Sequence, residues 1–201
     1  MTDSTSSSTP TLPSEDWSRF EPPGGVLVWI IVFLEIITFG AGLGVFLYQR
    51  GAEPALFAQG RDLLNQPLAF ANTLILLTGG WFMACGLEEL RRGRSPLAIR
   101  WMVGAIITGL AFLLLKSIEY TEKIQHGATF GDDAFFTLYF ALTGFHFIHV
   151  LVAVLILAYL ALQLKRGRFG QDRFQDVEAG GIFWHLCDLI WLLLFPILYL
   201  L

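Results

Sequence analysis

The sequence predicts an all-α membrane protein: a bundle of five transmembrane helices, with the N-terminus cytoplasmic and the C-terminus external. Three observations predict it. The 201-residue chain is 55% hydrophobic and only 15% charged, and its mean hydropathy of +0.61 lies outside the usual range of soluble domains. Five apolar runs reach the roughly 20 residues that a helix needs to cross hydrocarbon, and none alternates as a membrane β-strand would. Basic residues concentrate in alternate loops, which sets the orientation.

The first run, 26–47, reads VLVWIIVFLEIITFGAGLGVFL. The second covers 68–90, the third 97–120 and the fourth 135–164, long enough to tilt or project. The fifth covers 181–201. Gly40, Gly42, Gly44, Gly79, Gly80, Gly104 and Gly109 are expected to let helices approach closely. The loop after the second run carries Arg91, Arg92, Arg94 and Arg100, and the loop after the fourth carries Lys165, Arg166, Arg168 and Arg173. The other two loops hold only Arg50, Arg61, Lys116 and Lys123. Both basic loops therefore face the cytoplasm.

Residues 1–24 are rich in Ser, Thr and Pro, and they lack the basic start and apolar core of a signal peptide. They are expected to be a retained, flexible tail before a membrane domain at 25–201. A net charge of −4 gives no reason to expect a nucleic-acid partner. No phosphate-binding glycine loop, paired-cysteine motif or nucleophile motif is present. Cys85 and Cys187 lie in apolar runs and read as small buried hydrophobes.

Charged groups inside hydrocarbon are costly, so each raises a functional question. Glu35 lies mid-helix, roughly 14 Å from the inner end at 1.5 Å per residue. It reads either as a proton-exchanging or contact-forming carboxyl or as a hydrogen-bonded structural acid. His185 and Asp188 are three apart on one helix face near the inner interface, and read as a structural polar knot rather than a catalytic pair. Lys116 and Glu119 share the same spacing near the outer end, where the lysine is expected to snorkel outward and pair with the acid. Glu88 and Glu89 beside the arginine loop read as an interfacial ion-pair cluster.

His146 and His149 stand in LTGFHFIHVLVAV. With His185 they could supply three nitrogen ligands, but the chain has only four histidines, of which His126 falls in an outer loop. That is too few for a complete oxygen- or nitric-oxide-reducing centre. A single haem gripped by two histidines is also disfavoured, because His146 and His149 are too close on one helix to reach both faces. No metal or cofactor is expected.

The motifs, taken in order, resemble the cytochrome c oxidase subunit III family. YFALTGFHFIHVLVAV is similar to its signature helix, and VEAGGIFWHLCDLIWLLLFPILYLL to its closing helix. FLEIITFGAGLGVF resembles the helix carrying a membrane-buried glutamate, with Glu35 at that place; ANTLILLTGG and LLLKSIEY resemble two further motifs. The resemblance spans residues 25–201, everything except the tail. Family members often have seven helices, of which this chain matches the last five. The five-helix form, Phe147 and the LLFPILYLL ending look most like the branch associated with nitric oxide reductase.

The resemblance implies a non-catalytic subunit of the bacterial inner (plasma) membrane, itself without a redox cofactor. Such a subunit packs among membrane lipids against a catalytic haem–copper oxidase or nitric oxide reductase subunit. It supports that subunit's assembly, stability and proton uptake. His146, His149, His185, Asp188, Lys116 and Glu119 would then form a structural polar network, and Glu35 would border the catalytic subunit. Two other classes remain open on the residues alone: a stand-alone proton or small-solute channel, and a haem-bearing electron carrier.

Overall fold

The computed structural model describes residues 22–125, 127, 129–131, 133–169 and 173–201. His126 and all but the last three residues of the 1–24 tail lie outside them. The order is α1 (Val26–Ala52), α2 (Pro54–Asp62), α3 (Gln66–Arg91), α4 (Ser95–Gln125), α5 (Ala134–Lys165), α6 (Phe174–Phe195) and a closing π turn (Pro196–Leu200). There is no strand among the described residues. Five spans are long and apolar enough to cross a membrane: α1, α3, α4, α5, and α6 continued to Leu200.

Local chemistry explains where each helix stops. Pro54 disfavours helical geometry at Glu53, and so ends α1 and opens α2. The Asn65 side chain accepts from the Leu68 amide at 3.1 Å and caps α3. Asp133 caps α5 in the same way, accepting from the Phe136 amide at 2.7 Å. At the basic loops, α3 and α5 end on Gly93 and Gly167, with φ of 76° and 67°. The amides of Arg94 and Arg168 then reach back to the carbonyls of Glu89 and Gln163. This left-handed closure satisfies orphan carbonyls and suits a residue without Cβ.

The membrane helices are longer than their apolar runs. α6 begins seven residues before the expected 181, because the polar first turn, including Asp176, suits a helix N-terminus. α2 was not expected at all. It is nine residues long and is anchored by one ring: Phe57 packs edge-on to Phe46 at 5.0 Å and to Phe135 at 5.6 Å.

α3 and α4 form the most extensive helix pair, α6 packs against α3 and α5, and α1 lies along α5 and α6. The large side chains at the centre are Trp184, Trp191, Phe112, Met83 and Leu76. α1 buries only one stripe, Val28, Val32, Phe39, Leu43 and Phe46. A Cβ at Gly40 or Gly44 would meet nothing among the described residues, so these two glycines do not serve helix packing here as expected; they face outward. Gly42, Gly79, Gly80, Gly104 and Gly109 do sit against neighbouring side chains.

The two ends of the bundle are distinct. At one end the Lys123 ammonium donates to the Leu63 carbonyl, and α2 covers Phe135. At the other, Glu178 accepts from the Gly24 amide at 3.0 Å and pairs with Arg91 at 3.4 Å.

Candidate functional site

The polar side chains sort into three sets, one toward the α2 end and two near mid-helix, where His185 and Asp188 lie deeper than the inner interface expected of them. The largest set lies toward the α2 end. Lys116 and Glu119 on α4 are 3.0 Å apart, with both side chains essentially without exposure. The expectation that Lys116 snorkels outward is therefore wrong. Its ammonium is turned inward and donates to Tyr139 Oη at 3.0 Å and to Tyr199 Oη. Both tyrosine hydroxyls also lie within hydrogen-bond reach of Glu119 Oε1, at 2.9 and 2.8 Å. The rings of Tyr120, Tyr139, Trp191 and Tyr199 surround the ammonium at about 5 Å. Three acceptors, Glu119 Oε2 and the two tyrosine hydroxyls, and a ring of π faces replace the water that snorkelling would have reached. The cluster joins α4, α5 and the π turn, where Pro196 ends the regular helix and brings Tyr199 into place. Tyr120 donates to Thr143 at 2.9 Å and extends the tie.

The second set lies mid-membrane. Glu35 Oε1 on α1 is 3.1 Å from His149 Nε2 on α5, and both side chains are more than four-fifths buried. His149 Nδ1 is 2.8 Å from the Phe145 carbonyl, which can only accept, so Nδ1 carries a hydrogen. That fixes Nε2 as the nitrogen facing Glu35. A proton on either group would close this contact as a hydrogen bond. Glu35 has no basic residue on its own helix within the run; its partner comes from across the bundle. Its second oxygen, Oε2, is buried and has no hydrogen-bond partner among the described residues.

His146 turns away from His149 into the core. Its ring stacks on Trp191 at 5.2 Å and meets Phe112 edge-on at 5.7 Å. Neither ring nitrogen has a hydrogen-bond partner among the described residues. Trp191 in turn donates to Thr73 at 2.8 Å, linking α6 to α3. His146 and His149 thus meet different surroundings although a three-residue spacing puts them on neighbouring parts of one helix face.

The third set faces outward. His185 and Asp188 on α6 are 3.5 Å apart, with His185 nearly half exposed and Asp188 91% buried (side-chain exposure 45% and 9%). Asp188 lies over Gly80 of α3, where a Cβ would collide with its carboxylate.

The residues expected to form one network are therefore three separate ties. Tyr139, Tyr199 and Thr73 were missed as members. Their hydroxyls fall among apolar residues, and only the buried Lys116–Glu119 pair could have signalled that donors must surround it. At the basic end, the expected interfacial pairs form, Arg92 with Glu88 at 2.8 Å and Arg94 with Glu89 at 2.5 Å. Cys85 and Cys187 are free thiols, the latter buried. Among the described residues, no three His, Cys, Asp or Glu side chains converge as a metal site would.

Known proteins are similar to this chain in sequence. The family model for cytochrome c oxidase subunit III matches residues 58–201. The chain is 29% identical over 181 residues to cytochrome c oxidase subunit 3 of Corynebacterium diphtheriae, covering 88% of each chain. It is 25% identical over 174 residues to quinol oxidase subunit 3 of Bacillus spizizenii, covering 86% of this chain and 84% of that one. A heme-copper oxidase subunit I+III of Aeropyrum pernix is 26% identical over 179 residues; these are 86% of this chain but only 22% of that protein. A match through most of the membrane domain, over a bundle of five spans tied by the polar groups that the motifs named, places this chain in the cytochrome c oxidase subunit III family.

Proposed function

We propose that this chain is a non-catalytic accessory subunit of a haem–copper respiratory complex in the bacterial inner membrane, seated beside the catalytic subunit I. The observation that carries this is the Aeropyrum pernix relative, whose name joins subunits I and III in one chain. The geometry agrees: the buried Lys116, Glu119, Tyr139 and Tyr199 are engaged with one another as helix ties. Such ties hold a bundle in one shape for a partner to bind.

The electron acceptor is oxygen in the reading the relatives support, since two of them are named as cytochrome c and quinol oxidase subunits. Phe147 and the LLFPILYLL ending favour nitric oxide reductase as the second reading. The five-helix length does not separate the two, because the Corynebacterium diphtheriae oxidase subunit aligns over 88% of its own length and is of similar size. Assaying the purified complex with oxygen and with nitric oxide decides between them.

Support of proton uptake is assigned to Glu35 and His149. The pair brings a carboxyl and an imidazole within hydrogen-bond reach inside the bundle, the arrangement a proton relay needs, and Glu35 Oε2 is buried with no hydrogen-bond partner among the described residues. Glu35→Gln keeps a hydrogen bond to His149 but cannot exchange a proton. The variant complex is expected to assemble normally yet lose turnover selectively at alkaline pH, where protons are scarce. Coincident pH–rate profiles would remove the proton role and leave only the tie.

The basic ends of α3 and α5 are proposed to be cytoplasmic. Reporter fusions after residues 94 and 168 should read inside, and fusions after residues 60 and 201 outside. An outside signal at 168 would reverse the orientation.

A further inference from the structure

The His185–Asp188 pair lies at the wrong depth for lipid to cover. At 1.5 Å per residue, His185 is about 16 Å from the start of α6, and Gly80 about 16 Å from the inner end of α3. Both therefore sit near the middle of the hydrocarbon. They line a shallow groove between α3 and α6, of about 340 Å³, with Leu77, Trp81, Leu189 and Leu192 at its rim. The His185 imidazole lines this groove nearly half exposed, and Asp188 lines it with one carboxylate oxygen, Oδ1, without a hydrogen-bond partner among the described residues. Acyl chains cannot hydrogen-bond to either group, and a polar side chain facing lipid at this depth is costly.

The exposed face of α1 differs. Phe33, Ile37 and Tyr48 are among its most exposed side chains, and its one intramembrane acid, Glu35, turns inward to His149. Lipid satisfies that face.

We infer that the α3–α6 groove is the docking surface for a transmembrane helix of subunit I, which places a hydroxyl or amide side chain against His185. This rests on the proposed role as an accessory subunit. Three features fix the chemistry of the occupant. His185 Nδ1 faces the Asp188 carboxylate, so Nε2 is the nitrogen left for a partner. A Ser or Thr hydroxyl, or an Asn amide, can serve it as donor at close range. Gly80 lets Asp188 lie flat on α3, so the groove floor stays low and an incoming helix can approach closely. The rim of Trp81 and leucines supplies the apolar contact that excludes lipid from the hydrogen bond.

The test uses the whole complex in its native membrane. A photo-reactive benzoylphenylalanine is placed at Leu189 and at Leu77, with Ile37 on α1 as the comparison. The expected result is a covalent adduct to subunit I from Leu189 and Leu77, and lipid adducts from Ile37. Adducts to subunit I from Ile37 alone would overturn the inference. So would adducts from Leu189 to lipid or to a second copy of this chain. Co-purification of subunit I before irradiation separates the two levels: its absence sinks the accessory role and the docking surface together, and its presence without the Leu189 adduct sinks the docking surface alone. Substitution gives a second readout. Leu189→Trp changes only an exposed rim position, so the chain should stay at normal abundance in the membrane while its ratio to subunit I falls. Asp188→Leu should lower that ratio about tenfold, the factor carried by one lost hydrogen bond, and Asp188→Asn should restore much of it. An unchanged ratio in Leu189→Trp and Asp188→Leu would contradict the assignment.

Discussion

Glu119→Leu is expected to remove most of the folded chain from the membrane, and Lys116→Met/Glu119→Leu to bring most of it back. In the single variant the Lys116 ammonium stays fully buried without its counter-charge. Breaking a buried pair by removing one partner costs about 3–5 kcal/mol, whereas replacing both with apolar groups is close to neutral. Two tyrosine hydroxyls would also lose their acceptor, which adds to the loss in the single variant and leaves the double variant short of full recovery. The comparison is made by chain abundance in membranes and by the melting temperature of the detergent-solubilised protein. A single variant as stable as the parent would mean that the cluster does not hold α4, α5 and the π turn together.

Trp191→Ala is expected to be nearly as damaging. The ring meets Phe112 edge-on at 4.9 Å, stacks on His146 and forms part of the wall around Lys116. Its removal opens a cavity beside a buried ammonium, and such truncations cost about 3–5 kcal/mol. Trp191→Phe keeps most of the packing and loses the hydrogen bond to Thr73. Thr73 still donates to the Ala69 carbonyl at 2.8 Å, so this variant should lose only about 1 kcal/mol. Melting temperatures in detergent order the three proteins. Equal losses for Ala and Phe would show that the hydrogen bond, and not the packing, is what Trp191 contributes.

The five spans were legible because each depends on a property summed over some 20 residues, and a few polar positions do not blur it. Their ends were less so. α1, α4 and α6 run past their apolar stretches because helix geometry continues into polar residues until a cap, a proline or a glycine stops it. α2 escaped notice because nine residues around a single anchoring Phe57 carry no periodic signal.

The polar residues were identified one by one, but their partners were not. The spacing of Lys116 and Glu119 announced their pairing, since both lie on one helix. It could not show that Tyr139 and Tyr199, 20 and 80 residues from Glu119, would close around them. Glu35 looked alone for the same reason: His149 reaches it from a helix more than a hundred residues on. Local spacing reports neighbours on one helix, and contacts between helices depend on how each is rotated in the bundle. Lys116 shows the limit most clearly. Its position near a helix end suggested snorkelling, and the tyrosines made the inward direction the better one.

The central claim is that this chain serves a haem–copper complex as its accessory subunit. The direct test is purification of the tagged chain from its native membrane in mild detergent, with a visible spectrum and identification of what comes with it. The account predicts a haem-containing subunit I at a one-to-one ratio, with the haem spectrum belonging to that partner and absent when this chain is expressed alone. A tagged chain that purifies without any haem–copper subunit, or that shows its own haem spectrum lost on His149→Ala, would contradict it.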